Sequence, residues 1–326
     1  MTFAIFLKLL AIFAIVVLGW VASRARWLGP GDPSRVLANA AFFLFIPALL
    51  FRTTARLDIS AMPWATLAAF FLPVLGFMLG LYVVQRRSRP VTGEHPPAEP
   101  SVRAITATFG NTVQLGIPLA TALFGEVALS VHLAIVSLHA LLLLTLVTTL
   151  VELDLARAHA RRRGVSQSLS RTLLTTVRNT IIHPVVLPVL AGLLFNLAGL
   201  SLPALVDETL QLLAQAVVPI CLVVIGMSLA HYGLQGALRG ALWLSFAKLM
   251  LLPALVLVSG HWGAGLHGTP LAVIVVCAAL PVGSNALLFA QRYETLEAEA
   301  TASIVISTVG FVLTAPLWLL LLGLFP

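Results

Sequence analysis

An all-α integral membrane protein, with ten transmembrane helices in two inverted five-helix repeats, is the fold class this sequence predicts. Three observations carry the prediction. Of 326 residues, 60% are hydrophobic and only 10% charged, with mean hydropathy +1.03, so the chain lacks the polar surface that a soluble protein of this size needs. Its apolar residues gather into ten runs, each near the length that spans a hydrocarbon core. Two of those runs, about half a chain apart, are broken by glycine, proline and carboxamide residues, as in carriers built from repeated halves.

The first run extends from Phe3 to Val21 and is expected to stay in the chain as a membrane helix, because it has neither a basic start nor a small-residue cleavage site. The second, Val36 to Leu50, is short and carries Pro47, which predicts a bend or partial unwinding. The third covers Met62 to Val84, and the arginine- and proline-rich connection from Gln85 to Ser101 has loop chemistry. The fourth runs from Val102 to Phe124, ends at a turn on Gly125 and Glu126, and leads to the fifth, Val127 to Leu150. The polar stretch from Glu152 to Ser170 reads as a cytoplasmic connector, with a surface amphipathic helix as the alternative.

Beyond it lie the sixth run, Leu173 to Leu197, with Pro184 and Pro188, and the seventh, Leu210 to Leu229, around Pro219. The eighth is Leu238 to Val258, the ninth Leu271 to Phe289 and the tenth Ala300 to Leu324. Residues 1–150 thus form a first repeat, 151–171 a linker and 172–326 a second repeat. Five crossings per half is an odd number, which forces the halves into opposite orientations.

Basic residues set the orientation. With the amino terminus outside, fifteen arginines fall at cytoplasmic edges and only Arg52 and Arg56 outside, the bias that topology requires. Both termini are then expected outside the cytoplasm. The same bias accounts for the formal charge of +7 without a nucleic-acid partner, for which no basic groove is apparent.

The candidate site lies in the two interruptions. Gly110-Asn111-Thr112-Val113-Gln114-Leu115-Gly116-Ile117-Pro118 makes a poor continuous membrane helix, since Pro118 lacks an amide hydrogen and the glycines let the backbone unwind. Pro281-Val282-Gly283-Ser284-Asn285 is its counterpart in the ninth run. Unwound backbone in a bilayer must be buried in protein or line a hydrated cavity. The carboxamides of Asn111, Gln114 and Asn285 donate and accept hydrogen bonds, and Thr112 and Ser284 add hydroxyls. Half-helix N-termini favour an anion, so a small organic acid fits the site, while the same groups could instead only satisfy broken backbone.

No acidic residue falls in the middle of a predicted span, which disfavours a carboxylate-based proton relay. His132, His139 and His183 are candidate proton-responsive groups. Lys248 could neutralise substrate charge, stabilise a carbonyl-lined cavity or snorkel to the interface. Sodium coupling, proton coupling and uncoupled transport all stay open. Phosphate-binding loops, dinucleotide fingerprints, metal-ligand clusters and nucleophile elbows are absent from the sequence, so no enzyme activity, cofactor or metal is expected. Cys221 and Cys277 sit in apolar stretches and read as small buried hydrophobes.

Gly110-Asn111 with Gly116-Ile117-Pro118, Pro281 with Asn285, Ala290 and Tyr293, Asn179, Gly192, and Phe45-Ile46-Pro47-Ala48-Leu49-Leu50 together resemble the auxin efflux carrier family, in its bacterial malate or malonate permease-like branch. The resemblance covers nearly the whole chain and implies a fold similar to sodium/bile-acid symporters and sodium/proton antiporters. It implies that helices 4 and 9 cross, that helices 1, 2, 6 and 7 form a scaffold with a homodimer contact, and that helices 3–5 and 8–10 move as an elevator.

By the same resemblance Asn111 and Asn285 meet the substrate, and Leu115, Gly116, Pro281 and Val282 contribute through their backbone. The sequence departs from the family pattern at Asn179-Thr180-Ile181-Ile182-His183-Pro184, where the proline often follows the asparagine directly, and in its short central linker. A carrier of a dicarboxylate or auxin-like carboxylate in a bacterial inner membrane is therefore expected. A cation-coupled bile-acid-like symporter and a non-transport membrane sensor are the alternatives.

Overall fold

The computed structural model describes residues 3–29, 32–56, 62–88, 96–162, 178, 181–182, 184, 186–232 and 238–325. Among the described residues the protein is helical apart from one isolated β-bridge. Six helices are long and apolar enough to cross a membrane, so the chain is an α-helical membrane protein. In chain order these are α2 (Pro33–Ala55), α3 (Trp64–Ser88), the Val131–Ala158 part of α5, α7 (Ala204–His231), α8 (Leu238–Gly263) and α11 (Glu297–Leu322). The other elements are α1 (Phe3–Arg24), α4 (Glu99–Thr108), α6 (Val186–Leu197), α9 (Gly268–Ala279) and α10 (Asn285–Arg292); α5 as a whole is Ile117–Arg162.

The second run is continuous helix across its proline. A single π turn, Ala41–Phe45, immediately precedes Ile46-Pro47, so the wider turn takes up the hydrogen bond that a proline nitrogen cannot donate. The same device recurs in α8, where the π turn Ala247–Leu251 precedes Leu252-Pro253.

At 46 residues, α5 would be about 69 Å long if straight, about twice a hydrocarbon core. It turns at Gly125, whose φ of 76° and ψ of −167° are non-helical, at the turn expected between the fourth and fifth runs. Its far end runs on to Arg162, so the beginning of the stretch read as a connector is helical. Alanine, leucine, arginine and glutamate dominate Val151–Arg162, and these are strong helix formers even where hydropathy has fallen.

Two groups of helices pack around the site. In one, α1 lies along α7 and α2 along α6 and α7. The α1–α7 approach depends on Gly226, where an added Cβ would sit 1.9 Å from the Val16 carbonyl oxygen, the small-residue contact by which membrane helices come close. In the other group α3, α4, α8, α9 and α11 pack on one another, and α9 also meets α5.

Buried acids are confined to the helix ends, each with a basic partner. Glu299 and Glu99 hold Arg103 at 2.7 and 2.6 Å, while Asp154 accepts from Tyr82 at 2.9 Å and pairs with Arg86. At one end of α2, Arg35 bridges to Glu294 at 2.7 Å and Glu297 at 3.0 Å. At the other end Arg52 and Arg56 hold Asp207 at 2.8 and 2.9 Å. Among the described residues no acid lies at mid-helix depth, and no group of three or more metal-ligating side chains forms.

Candidate functional site

The two interruptions meet. Chain between α4 and α5 pairs with chain between α9 and α10 through an antiparallel bridge of Gly110 to Val282. The Asn111 amide donates to the Pro281 carbonyl and the Gly283 amide to the Phe109 carbonyl, each at 2.8 Å. The Val282 amide donates to Ser307 Oγ at 3.0 Å. Each break thus satisfies part of the backbone opened by the other, as burial demands. Such pairing needs two chains without side chains in the way: a Cβ on Gly283 would lie 2.8 Å from the Gly110 carbonyl oxygen and 2.9 Å from the Phe109 ring.

The bridge sorts the four half-helix ends by polarity. The C-terminal ends of α4 and α9 stop just before it, at Thr108 and Ala279. Helical backbone restarts after it at Thr112, in the π turn Thr112–Gly116 that leads into α5, and at Asn285 in α10. Those N-terminal ends line a cavity of about 130 Å³, with Asn111, Thr112, Val113, Ser284 and Asn285 in its wall. Each end carries roughly half a unit of positive charge, and in α10 the Ala286 and Leu287 amides already donate to the Gly283 and Ser284 carbonyls at 3.1 Å. The rest of the wall is mainly apolar, from Leu49 and Leu50 on α2, Val136 and Ala140 on α5, and Val217 and Val218 on α7.

Two buried polar atoms at this cavity have no protein partner, Asn285 Oδ1 and His139 Nδ1. Native proteins rarely leave such atoms unpaired; both residues are on its wall, but the two atoms themselves are shielded from its open space. His139 is 2% exposed, with its ring centroid 4.4 Å from that of Phe109. His132 has a different place: its Nε2 donates at 2.8 Å to the Thr112 carbonyl and props the π turn.

Of the sequence-predicted residues, Asn111, Thr112, Ser284, Asn285 and His139 line the cavity. Leu115, Gly116, Pro281 and Val282 are buried behind it and shape the backbone. Gln114 lies in the π turn and Pro118 at the second position of α5. His183 and Asn179 fall outside the described residues.

Lys248 does not extend to the protein surface. It is 1% exposed and its Nζ donates to the Ala278 carbonyl, which corrects the snorkelling alternative and supports carbonyl stabilisation. Sequence reading missed Phe109, Thr53, Thr54, Ser137 and the apolar wall from α2 and α7. The Thr53-Thr54 pair, polar within an apolar helix, was the one available signal.

A family model described as "Membrane transport protein" matches residues 4–319. A chain of Rhizobium meliloti (strain 1021) named "Putative malonate transporter" is 25% identical over 315 residues, 94% of this chain and 92% of its own length. "Uncharacterized transporter YfdV" of Escherichia coli (strain K12) is 32% identical over 123 residues. That match spans 38% of this chain and 38% of the relative.

Proposed function

This chain belongs to the membrane transport protein family, that of the auxin efflux carriers, and from that premise we propose that it is a secondary transporter moving a small organic anion by elevator-type alternating access. The observation that carries the reading is the Gly110–Val282 bridge, which turns two helix N-terminal ends toward a cavity lined by Asn111, Thr112, Ser284 and Asn285. The ends suit a carboxylate and the leucine and valine wall suits its apolar remainder. A dicarboxylate such as malonate, or an auxin-like carboxylate, has that shape.

An inverted duplication of ten crossings is part of the proposal, with residues 1–150 and 172–326 as the repeats. Reciprocity supports it: the bridge is made by one amide and one carbonyl from each break, and the packing of α1 on α7 is matched by that of α6 on α2. In this reading α1, α2, α6 and α7 are the scaffold and the homodimer contact. The rest moves, the membrane is a bacterial inner membrane, and both termini lie outside, the orientation that the arginine distribution favours.

Purified protein in liposomes preloaded with malonate tests the reading. Saturable uptake of labelled malonate, accelerated by malonate on the far side, is expected. Uptake that rises linearly with concentration would indicate a pore. No flux of malonate, malate or indole-3-acetate would contradict the carboxylate assignment.

The contacts of Arg35 suggest which arrangement is present. This residue of α2 grips Glu294 and Glu297 beyond α10, and the Arg292 guanidinium lies 5.1 Å from the Phe43 ring centroid. In an elevator these contacts join the scaffold to the moving part at the Arg35 end, whereas the Arg52–Asp207 pair joins α2 to α7 within the scaffold.

Glu297→Gln should weaken the tie and populate the opposite arrangement. In a background with Cys221 and Cys277 replaced by alanine, a cysteine at Ser137 should then be labelled several-fold faster from the Arg35 face. An unchanged labelling rate would show that this contact does not hold the arrangement.

A further inference from the structure

A second cavity, of about 480 Å³, lies between the ends of α1 and α7 and the start of α2. Its wall includes the buried Ser34 and Met227 and the exposed Arg24, Arg26 and Leu28, with His231 at the end of α7. Among the described residues neither Arg24 nor Arg26 has a carboxylate partner. Asp32, the acid in this wall, is engaged by its own neighbours: it accepts from Ser34 Oγ at 2.6 Å and from the Arg35 amide at 3.2 Å, and pairs with Arg35 Nε at 3.4 Å.

A basic residue in the last turn of a helix ordinarily offsets the helix dipole, and Arg24 is placed to do so for α1. Arg26 has no such explanation. It stands just past the helix, where its amide bonds back to the Ser23 carbonyl at 3.2 Å and the Trp27 amide to that of Ala22 at 3.1 Å, and its φ is 55°. Glycine is what that closing position favours, so an arginine sits there against backbone preference.

The surroundings are those of lipid headgroups. Trp20 and Trp27, before and after Arg24 in the chain, are exposed, as tryptophans are where a membrane meets water. The Arg24 guanidinium lies 5.6 Å from the Trp20 ring centroid. Val17, Trp20 and Arg24, spaced by three and four, form one stripe of α1 that leads from exposed apolar side chains to the cavity.

We propose that this cavity binds the headgroup of an anionic phospholipid, with Arg24 and Arg26 on its phosphate and an acyl chain along Val17 and Trp20. The fork of an arginine matches phosphate oxygens. Basic pockets between membrane helices on the cytoplasmic side hold such headgroups, and the arginine distribution favours that side for Arg24 and Arg26. The site uses nothing at the crossing, so it stands apart from the transport reading.

Thermal unfolding of the delipidated full-length protein in detergent tests this. Short-chain phosphatidylglycerol should raise the melting temperature by several degrees, while phosphatidylcholine of equal chain length and glycerol 3-phosphate should not. Arg26→Gly suits the left-handed backbone and should melt no lower than wild type without lipid. With Arg24→Gln added, more than half of the lipid shift should be lost. Should that double variant fail to fold, Arg26→Gly alone should still show a reduced shift. Arg87→Gln with Arg239→Gln removes equal charge from two exposed arginines elsewhere and should keep the whole shift.

An equal shift with phosphatidylcholine, an undiminished shift in the Arg24 and Arg26 variants, or an equal loss in the Arg87 and Arg239 variant would overturn the site. A shift with glycerol 3-phosphate as large as with the lipid would indicate a site for soluble phosphates and overturn the lipid assignment.

Discussion

Gly283→Val should abolish carboxylate flux, with transport falling to the level of empty liposomes. Even the first added carbon would lie 2.8 Å from the Gly110 carbonyl oxygen and 2.9 Å from the Phe109 ring, and backbone in a paired bridge has nowhere to retreat. The Gly283 amide would leave the Phe109 carbonyl, and with it the Asn111–Pro281 bond would loosen. Overpacking of a filled interior costs about 1–3 kcal/mol, which a helical membrane protein of this size can survive. The protein should therefore still purify as a folded species, with its helix content retained by circular dichroism. Flux within about twofold of wild type, less than 0.5 kcal/mol of transition-state energy, would mean that the bridge is incidental to transport.

Asn285→Leu should separate function from stability. Its Oδ1 is buried without a partner, a cost that an apolar side chain of similar size removes, so the melting temperature should hold or rise. Flux should fall by about 10- to 150-fold, the loss of one hydrogen bond donated by its Nδ2 to a charged group at about 1.5–3 kcal/mol. A structural asparagine would give the reverse pattern, with lower stability and little change in flux per folded molecule.

The crossing was legible in the sequence because its composition is so unlike its surroundings. Glycine, proline and carboxamides inside an apolar run have few structural uses, and Asn111 and Asn285 do face one cavity. The turn at Gly125 was equally readable from a glycine and an acid between two apolar runs. Pairing of one break with the other was not derivable from either, since Phe109 and Gly283 are joined by backbone groups that every residue has.

For the same reason Lys248 left three roles open, because its partner is the carbonyl of Ala278, which no side chain marks. The π turns before Pro47 and Pro253 were visible only as prolines. Leu49, Val217 and Val218 on the cavity wall carry no signal that distinguishes them from leucines and valines facing lipid.

The most direct measurement is an experimental structure with bromomalonate bound, its bromine located by anomalous scattering. The account predicts the bromine in the cavity between Asn111 and Asn285, with a carboxylate within hydrogen-bond reach of the backbone amides that begin the π turn and α10. Bromine bound elsewhere, with that cavity empty, would contradict it.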